Sequence, residues 1–318
     1  MRTSALLFCI GFCASALASD SLNDAISLYE QGAFDKAEQA LEELKDADET
    51  AAEAHYYLGL ILQSRGEFLD AAEQFEKAIE RDDGQSRYYQ GLGEAYGSAT
   101  QELSFFKQMR LAGKIRDAFE RAVELDPENI DARAGLATYY INAPGVAGGS
   151  EEKALEQAEE IARRDPYRGH MIRAAVFQSR NDEEAVEREY RAAIEASPDQ
   201  ASAYQALGIF LTSKERFKEA IEVYDRALEH VPDAMGVTYQ LGRTASISGQ
   251  FLERGEAAFI RYLEYQPTPD EPGLDWAHYR LGLIHQLQGR TEDARAQFEQ
   301  ALQLNPDHEE ARKALKKL

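Results

Sequence analysis

The chain has 318 residues, with 35 basic against 57 acidic side chains and a formal net charge of -22 at pH 7. Hydrophobic residues make up 44% and charged residues 29%, too apolar for a disordered chain and too charged for a membrane-embedded one. The acidic surplus argues against nucleic acid as a main partner and against docking on an anionic membrane, since both need clustered Lys and Arg.

Residues 1–18 stand apart from the rest. Arg2 is followed by an apolar run that ends Ala16-Leu17-Ala18, ahead of the polar Ser19-Asp20. One basic residue, a short apolar stretch and small residues at its end match a secretory signal peptide cut after Ala18. The run is shorter than the about 20 residues that a bilayer span needs. Retention as an uncleaved anchor is the alternative. Cys9 and Cys13 each follow a Phe, which no lipoprotein site would tolerate. Both cysteines leave with the signal, so the remaining chain has no disulfide, thiolate metal site or cysteine nucleophile.

From residue 19 onward the sequence repeats. Leu58-Gly59 returns as Leu92-Gly93 after 34 residues, Leu207-Gly208 returns as Leu241-Gly242 after 34, and Leu281-Gly282 follows after 40. Pro127, Pro166, Pro198, Pro232, Pro267 and Pro306 keep a similar beat. Within one period, Tyr204, Leu207, Gly208, Leu211, Phe217, Ala220, Tyr224, Ala227 and Pro232 read as two amphipathic helices and a stop. Small residues suit the crossing of the two helices. Gly or Asn at 32, 66, 181, 249 and 289 suits the left-handed residue that ends the first of them.

This pattern resembles the tetratricopeptide repeat (TPR) family, and the resemblance covers nearly all of 19–308. It implies an all-α, right-handed α-solenoid superhelix of about eight helix-turn-helix units, spanning about 18–51, 52–85, 86–129, 130–168, 169–200, 201–234, 235–274 and 275–308. Residues 309–318 read as a capping helix with an apolar face and a basic outer side. The first unit has Asp24-Ala25 and the fifth Arg173-Ala174 where the others have Leu-Gly. Three units carry extra sequence. The stretch 101–112 has the apolar spacing of a lengthened helix, 142–150 is a loop that Ser150 ends as a helix N-cap, and 267–273 is a Pro-rich connector.

Catalytic chemistry finds little support. His278 and His285 share a helix face, but both fall where the repeat expects a packed aromatic. Gly148-Gly149-Ser150 opens a helix that could hold an anion, yet Glu151 and Glu152 already supply its negative charge. The expectation is no catalytic residue, no metal and no cofactor.

In proteins that look like this one, the first helix of each unit lines a concave face through its second, fifth, ninth and twelfth residues. Those positions fall on Tyr56, Leu60 and Gln63; Arg87, Gln90 and Glu94; Gln205, Ile209 and Thr212; Tyr239 and Arg243; and Trp276, Tyr279, Leu283 and Gln286. The partner-binding groove is expected at Tyr56, Leu60, Gln90, Gln205, Tyr239, Arg243, Trp276, Tyr279 and Leu283, where aromatics and Arg can anchor a bound segment. Trp276 has a second reading, packing on Leu274 and the connector. The Lys and Asn clamp of chaperone-binding members is replaced here by Tyr56 and Leu60, Gln90 and Glu94, and Tyr239 and Arg243, so that partner is not implied.

The expected function is a non-catalytic, protein-binding scaffold or adaptor of the bacterial envelope, periplasmic or secreted, with no membrane span once the signal is cut. The first alternative is an assembly subunit working through its insertions or convex surface. The more remote one is a glycan- or small-molecule-binding protein, which would need a closed polar pocket.

Overall fold

The computed structural model describes residues 19–318, and the expected export signal lies outside the described residues. Among those residues there are seventeen α-helices and no strand. The first covers 19–30 (α1) and pairs with Phe34–Glu42 (α2). The succeeding pairs are Ala51–Ser64 (α3) with Phe68–Arg81 (α4), Ser86–Ala99 (α5) with Phe105–Leu125 (α6), and Ile130–Asn142 (α7) with Glu151–Ala162 (α8). Next come Pro166–Ser179 (α9) with Glu183–Ala196 (α10), Ala201–Ser213 (α11) with Phe217–His230 (α12), and Met235–Ser248 (α13) with Leu252–Leu263 (α14). Leu274–Leu287 (α15) with Thr291–Leu304 (α16) and the short Glu309–Leu315 (α17) complete the series. No helix is long and apolar enough to cross a membrane.

The described residues divide into two compact units, one ending at Arg164 and the other spanning Asp165–Leu318. The second opens with a well-defined helix start, because Asp165 accepts the Arg168 amide at 2.9 Å and Pro166 occupies the first turn of α9.

One contact recurs through both units. An aromatic ring from the second helix of a pair presses on the glycine of the first. A Cβ on Gly59 would stand 2.8 Å from Phe75, on Gly93 2.9 Å from Phe119, on Gly208 2.1 Å from Tyr224, on Gly242 2.7 Å from Phe259 and on Gly282 2.5 Å from Phe298. All five rings are buried. The Leu-Gly repeat is therefore a packing device: Leu fills the core and Gly makes room for a ring. The turn between the helices needs positive φ, and Gly66 (+80°) and Asn181 (+56°) supply it as the sequence predicts. The turn before α12 places Glu215 there at +58°, a backbone state that costs a side-chain residue about 1 kcal/mol. Second helices stop where Asp126, Ser197 and Asn305 take extended conformations, each just before a proline.

Cations from the turn before a second helix, or in the case of Lys114 from within it, reach back to a carboxylate on the preceding second helix. Arg65 meets Glu38 at 2.8 Å, Lys114 meets Glu76 at 3.1 Å, Arg216 meets Glu187 at 3.1 Å and Arg290 meets Glu256 at 2.7 Å. These partly exposed pairs add at most about 1 kcal/mol each, but they pin the register of neighbouring pairs.

Candidate partner-binding face

In the first unit the expected residues Tyr56, Leu60 and Gln90 are all half-buried. Tyr56 lies in an aromatic cluster, with ring centroids 5.1 Å from Tyr88, 5.3 Å from Tyr57 and 5.8 Å from Phe75. The Arg87 guanidinium sits 4.8 Å from the Tyr56 ring centre and pairs with Glu53, which also accepts the Tyr88 hydroxyl at 2.6 Å. Burial pushes the Tyr56 hydroxyl up to about 12, with Arg87 opposing, so the phenol is neutral at physiological pH.

Gln90 is a link in a chain of amides. Asn129 caps α7 by accepting the Ala132 amide at 2.9 Å, and its Nδ2 donates to Gln90 Oε1 at 2.9 Å. Gln90 Nε2 donates to Glu94 Oε1 at 2.9 Å. From the other side, Gln63 Nε2 makes a long bond to Glu94 Oε2 at 3.4 Å. The chain thus crosses from α7 over α5 to α3 and converges on one carboxylate. Glu94 has no ion-pair partner among the described residues, and Gln63 Oε1 is buried without a donor.

Glu94 and Gln63 border a cavity of about 510 Å³. Both insertions flagged in the sequence help to enclose it. One wall comes from Thr100, Gln101, Phe105, Gln108 and Met109, and another from Asn142, Ala143 and Pro144. The first insertion forms a short 3-10 turn, Thr100–Glu102, and then the start of α6, which reaches 21 residues where other second helices have 9 to 14. Gln108 ties this extension back by donating to the Thr100 and Leu103 carbonyls at 2.9 and 3.0 Å. Phe119 and Ile115 supply apolar lining. Gly93, Gly97 and Gly135 line the cavity too and fill none of it. The insertions make part of this face concave.

The loop after α7 is held by its own hydrogen bonds. The Tyr139 hydroxyl donates to the Ala147 carbonyl, the Gly149 amide to Pro144 at 3.2 Å and the Ser150 amide to Tyr140 at 3.0 Å. Ser150 Oγ accepts the Lys153 amide at 3.3 Å, as expected of an N-cap. The turn's amides are thus engaged, which removes the anion-cradle reading of Gly148-Gly149-Ser150.

In the second unit the expected residues differ in burial. Gln205 is half-buried, its Oε1 2.7 Å from where a Cβ of Gly236 would stand. Tyr239 is only 5% exposed, packed on Phe259 and Tyr262 with centroids 5.6 and 5.1 Å away, so it belongs to the core. Thr212 is also buried, its hydroxyl 2.9 Å from that of Thr244. Arg243 and Leu283 are half-buried, and Arg243 makes only a 3.5 Å contact to Gln240. Trp276 stacks on His308, the N-cap of α17, with centroids 4.3 Å apart, and Tyr279 joins them at 5.1 Å from His308. Trp276 therefore fastens the last helix, and the packing reading holds with a different neighbour. His278 bonds Gln297 at 2.7 Å and His285 faces Glu256 at 3.2 Å, so the two histidines do not converge on a metal site. Sequence spacing placed Gln63 and Glu94 at inward positions. What it could not show is that residues from 101 and from 142 onward would close around them.

Tetratricopeptide-repeat profiles match residues 22–95, 177–234 and 276–308, together just over half of the chain. Superkiller complex protein 3 of Mus musculus is 24% identical across 87% of this chain and 20% of its own length. The peroxisomal targeting signal receptor of Candida albicans is 27% identical across 72% of this chain and 37% of its own. A TPR repeat-containing protein of Pseudomonas aeruginosa is 28% identical across 63% and 28% respectively. The chain thus spans between about a fifth and two fifths of the length of these relatives. Among solved structures, a chain of the APC/C hetero-tetramer Cut9-Hcn1 aligns with a TM-score of 0.51 at 14% identity, over 93% of this chain and 55% of that one. IFIT1, solved as a monomeric mutant with Gppp-AAAA, aligns with a TM-score of 0.51 at 15% identity, over 93% and 70%. Such likeness speaks to the fold alone. The recurring ring-on-glycine contacts, the left-handed turns between paired helices and the profile matches agree, and this chain belongs to the tetratricopeptide repeat family.

Proposed function

We propose that this chain is a non-catalytic scaffold of the bacterial cell envelope that holds a segment of a partner polypeptide on the face made by its first helices. TPR proteins mediate protein–protein interaction. The observation that carries the reading further is the cavity beside Glu94, which offers apolar lining and one unmet acceptor, Gln63 Oε1. Export rests on the composition of residues 1–18. A second reading, assembly through the insertions, draws on Phe106 and Val146, which are 84% and 91% exposed.

Site-specific photocrosslinking in cells tests this. The photoreactive residue is placed at Leu60, at Phe106 and, as an outer-face control, at Lys218. Protein adducts from Leu60 and none from Lys218 are expected. Adducts from Phe106 alone would move the function to the insertion surface, and no protein adduct anywhere would sink the scaffold reading. An export-dependent phosphatase fused to the C-terminus should be active, and an inactive fusion would remove the envelope placement.

A further inference from the structure

We propose that the cavity of the first unit receives a lysine or arginine side chain from an otherwise apolar segment of the partner, with the cationic head at Glu94. This rests on the partner-binding reading above and names the chemistry that the partner must carry.

Among the described residues, Glu94 is an exception among the glutamates that α-helices hold half-buried or buried. The other half-buried or buried glutamates on α-helices have a cation at hand: Glu53 has Arg87, Glu76 has Lys114, Glu189 has Arg173 at 3.0 Å, and Glu256 has Arg290. Glu94 has only the amides of Gln90 and Gln63, which donate hydrogen bonds and bring no positive charge. Beside it, the buried Gln63 Oε1 has no donor. A partly enclosed carboxylate and an unmet acceptor side by side suit a group with several N–H donors and a positive charge. An acidic or neutral apolar occupant would leave the Glu94 charge unbalanced and Gln63 Oε1 without a donor.

The lining beyond Glu94 is apolar. Phe105, Met109, Ile115 and Phe119 can pack against the methylene stem of a long basic side chain. The cavity's volume of about 510 Å³ exceeds what one such side chain fills, so a flanking apolar residue of the same segment fits beside it. The formal charge of -22 favours approach of a cationic segment over an acidic one.

The test uses the full chain and a library of random dodecapeptides. Selected peptides should carry Lys or Arg between apolar residues. A selected peptide should bind at least about tenfold more tightly than its Lys-to-norleucine version, the margin of a charge-assisted contact. Glu94→Gln keeps the size of the side chain and should erase that margin together with the salt dependence. Gly97→Leu adds a side chain where a Cβ meets nothing within 4 Å, so it should fill the cavity and weaken both peptides with helicity unchanged. Equal binding of the Lys and norleucine peptides, or an intact margin in Glu94→Gln, overturns the cavity assignment and leaves the scaffold reading standing. If no peptide is enriched, both fall. If N-acetyl-lysine methylamide alone binds as tightly as the peptides, the polypeptide source is overturned.

Discussion

The two units use the same ring-on-glycine contact to different depth. In the first unit each ring is gripped from two sides. Phe75 meets Gly59 of its own pair and Gly91 of the next, and Phe119 meets Gly93 and Gly135 in the same way, with would-be Cβ distances between 2.3 and 2.9 Å. In the second unit Tyr224, Phe259 and Phe298 each press on one glycine, Gly208, Gly242 and Gly282. Gly91 and Gly135 stand one residue before the Leu of their helices, and the matching residues in the second unit are Ala206, Gln240 and Arg280. Small residues on two successive first helices bring backbones close to the ring and leave the surface above it bare. Over Phe119 that bare surface is the floor that the insertions wall in. Packing economy in the first unit is thus what leaves room for a ligand.

The comparison breaks most visibly through Gly135→Ala. Its Cβ would stand 2.3 Å from a ring that Gly93 backs on the far side, and about 2 kcal/mol should be lost after the gain in helix propensity. Gly242→Ala meets Phe259 at 2.7 Å, with no second glycine behind it, and should cost about half as much. Hydrogen exchange of the full chain, followed by mass spectrometry, reads each unit separately. Equal losses would show that the second glycine does not matter.

The turns sharpen the contrast at smaller scale. Glu215→Gly relieves the left-handed backbone and should stabilise the second unit by about 0.5–1 kcal/mol, raising protection in α11 and α12. A destabilised variant would mean that the Glu215 side chain earns its place by other contacts.

The smallest effect is one of pH. His55 is buried in the first unit with Nδ1 2.7 Å from Gln74 Oε1, and burial pulls its pKa below the ordinary histidine value of 6.5. A lowered folded pKa favours the neutral ring, so its contribution is whole above pH 6.5 and is lost as pH falls below that. His55→Gln should flatten this acid limb of the first unit's stability. An unchanged limb would assign the acid sensitivity elsewhere.

The fold was legible because its determinants are local and repeated. Leu-Gly pairs, turn glycines and prolines each follow from a steric need that recurs every 34 residues. Glu215 shows the limit: tertiary packing imposes the turn on a residue that would not choose it. The candidate site was legible in part. Helix position placed Tyr56, Gln90 and Glu94 on the inward side, but burial depends on neighbours, and Tyr239 went into the core because Phe259 and Tyr262 meet it there. The cavity joins residues some 40 positions apart, and no periodicity within one unit encodes that meeting.

The stack of Trp276 on His308 has a practical side. The chain's single tryptophan sits where α17 docks on α15, so its emission watches one end of the array and is blind to the rest. Fraying of the last helix would alter the indole's surroundings before any distant helix pair opens. Intrinsic fluorescence and far-ultraviolet dichroism therefore follow different events in this protein. A gap between the two curves would measure how cooperatively the end of the array melts with its body.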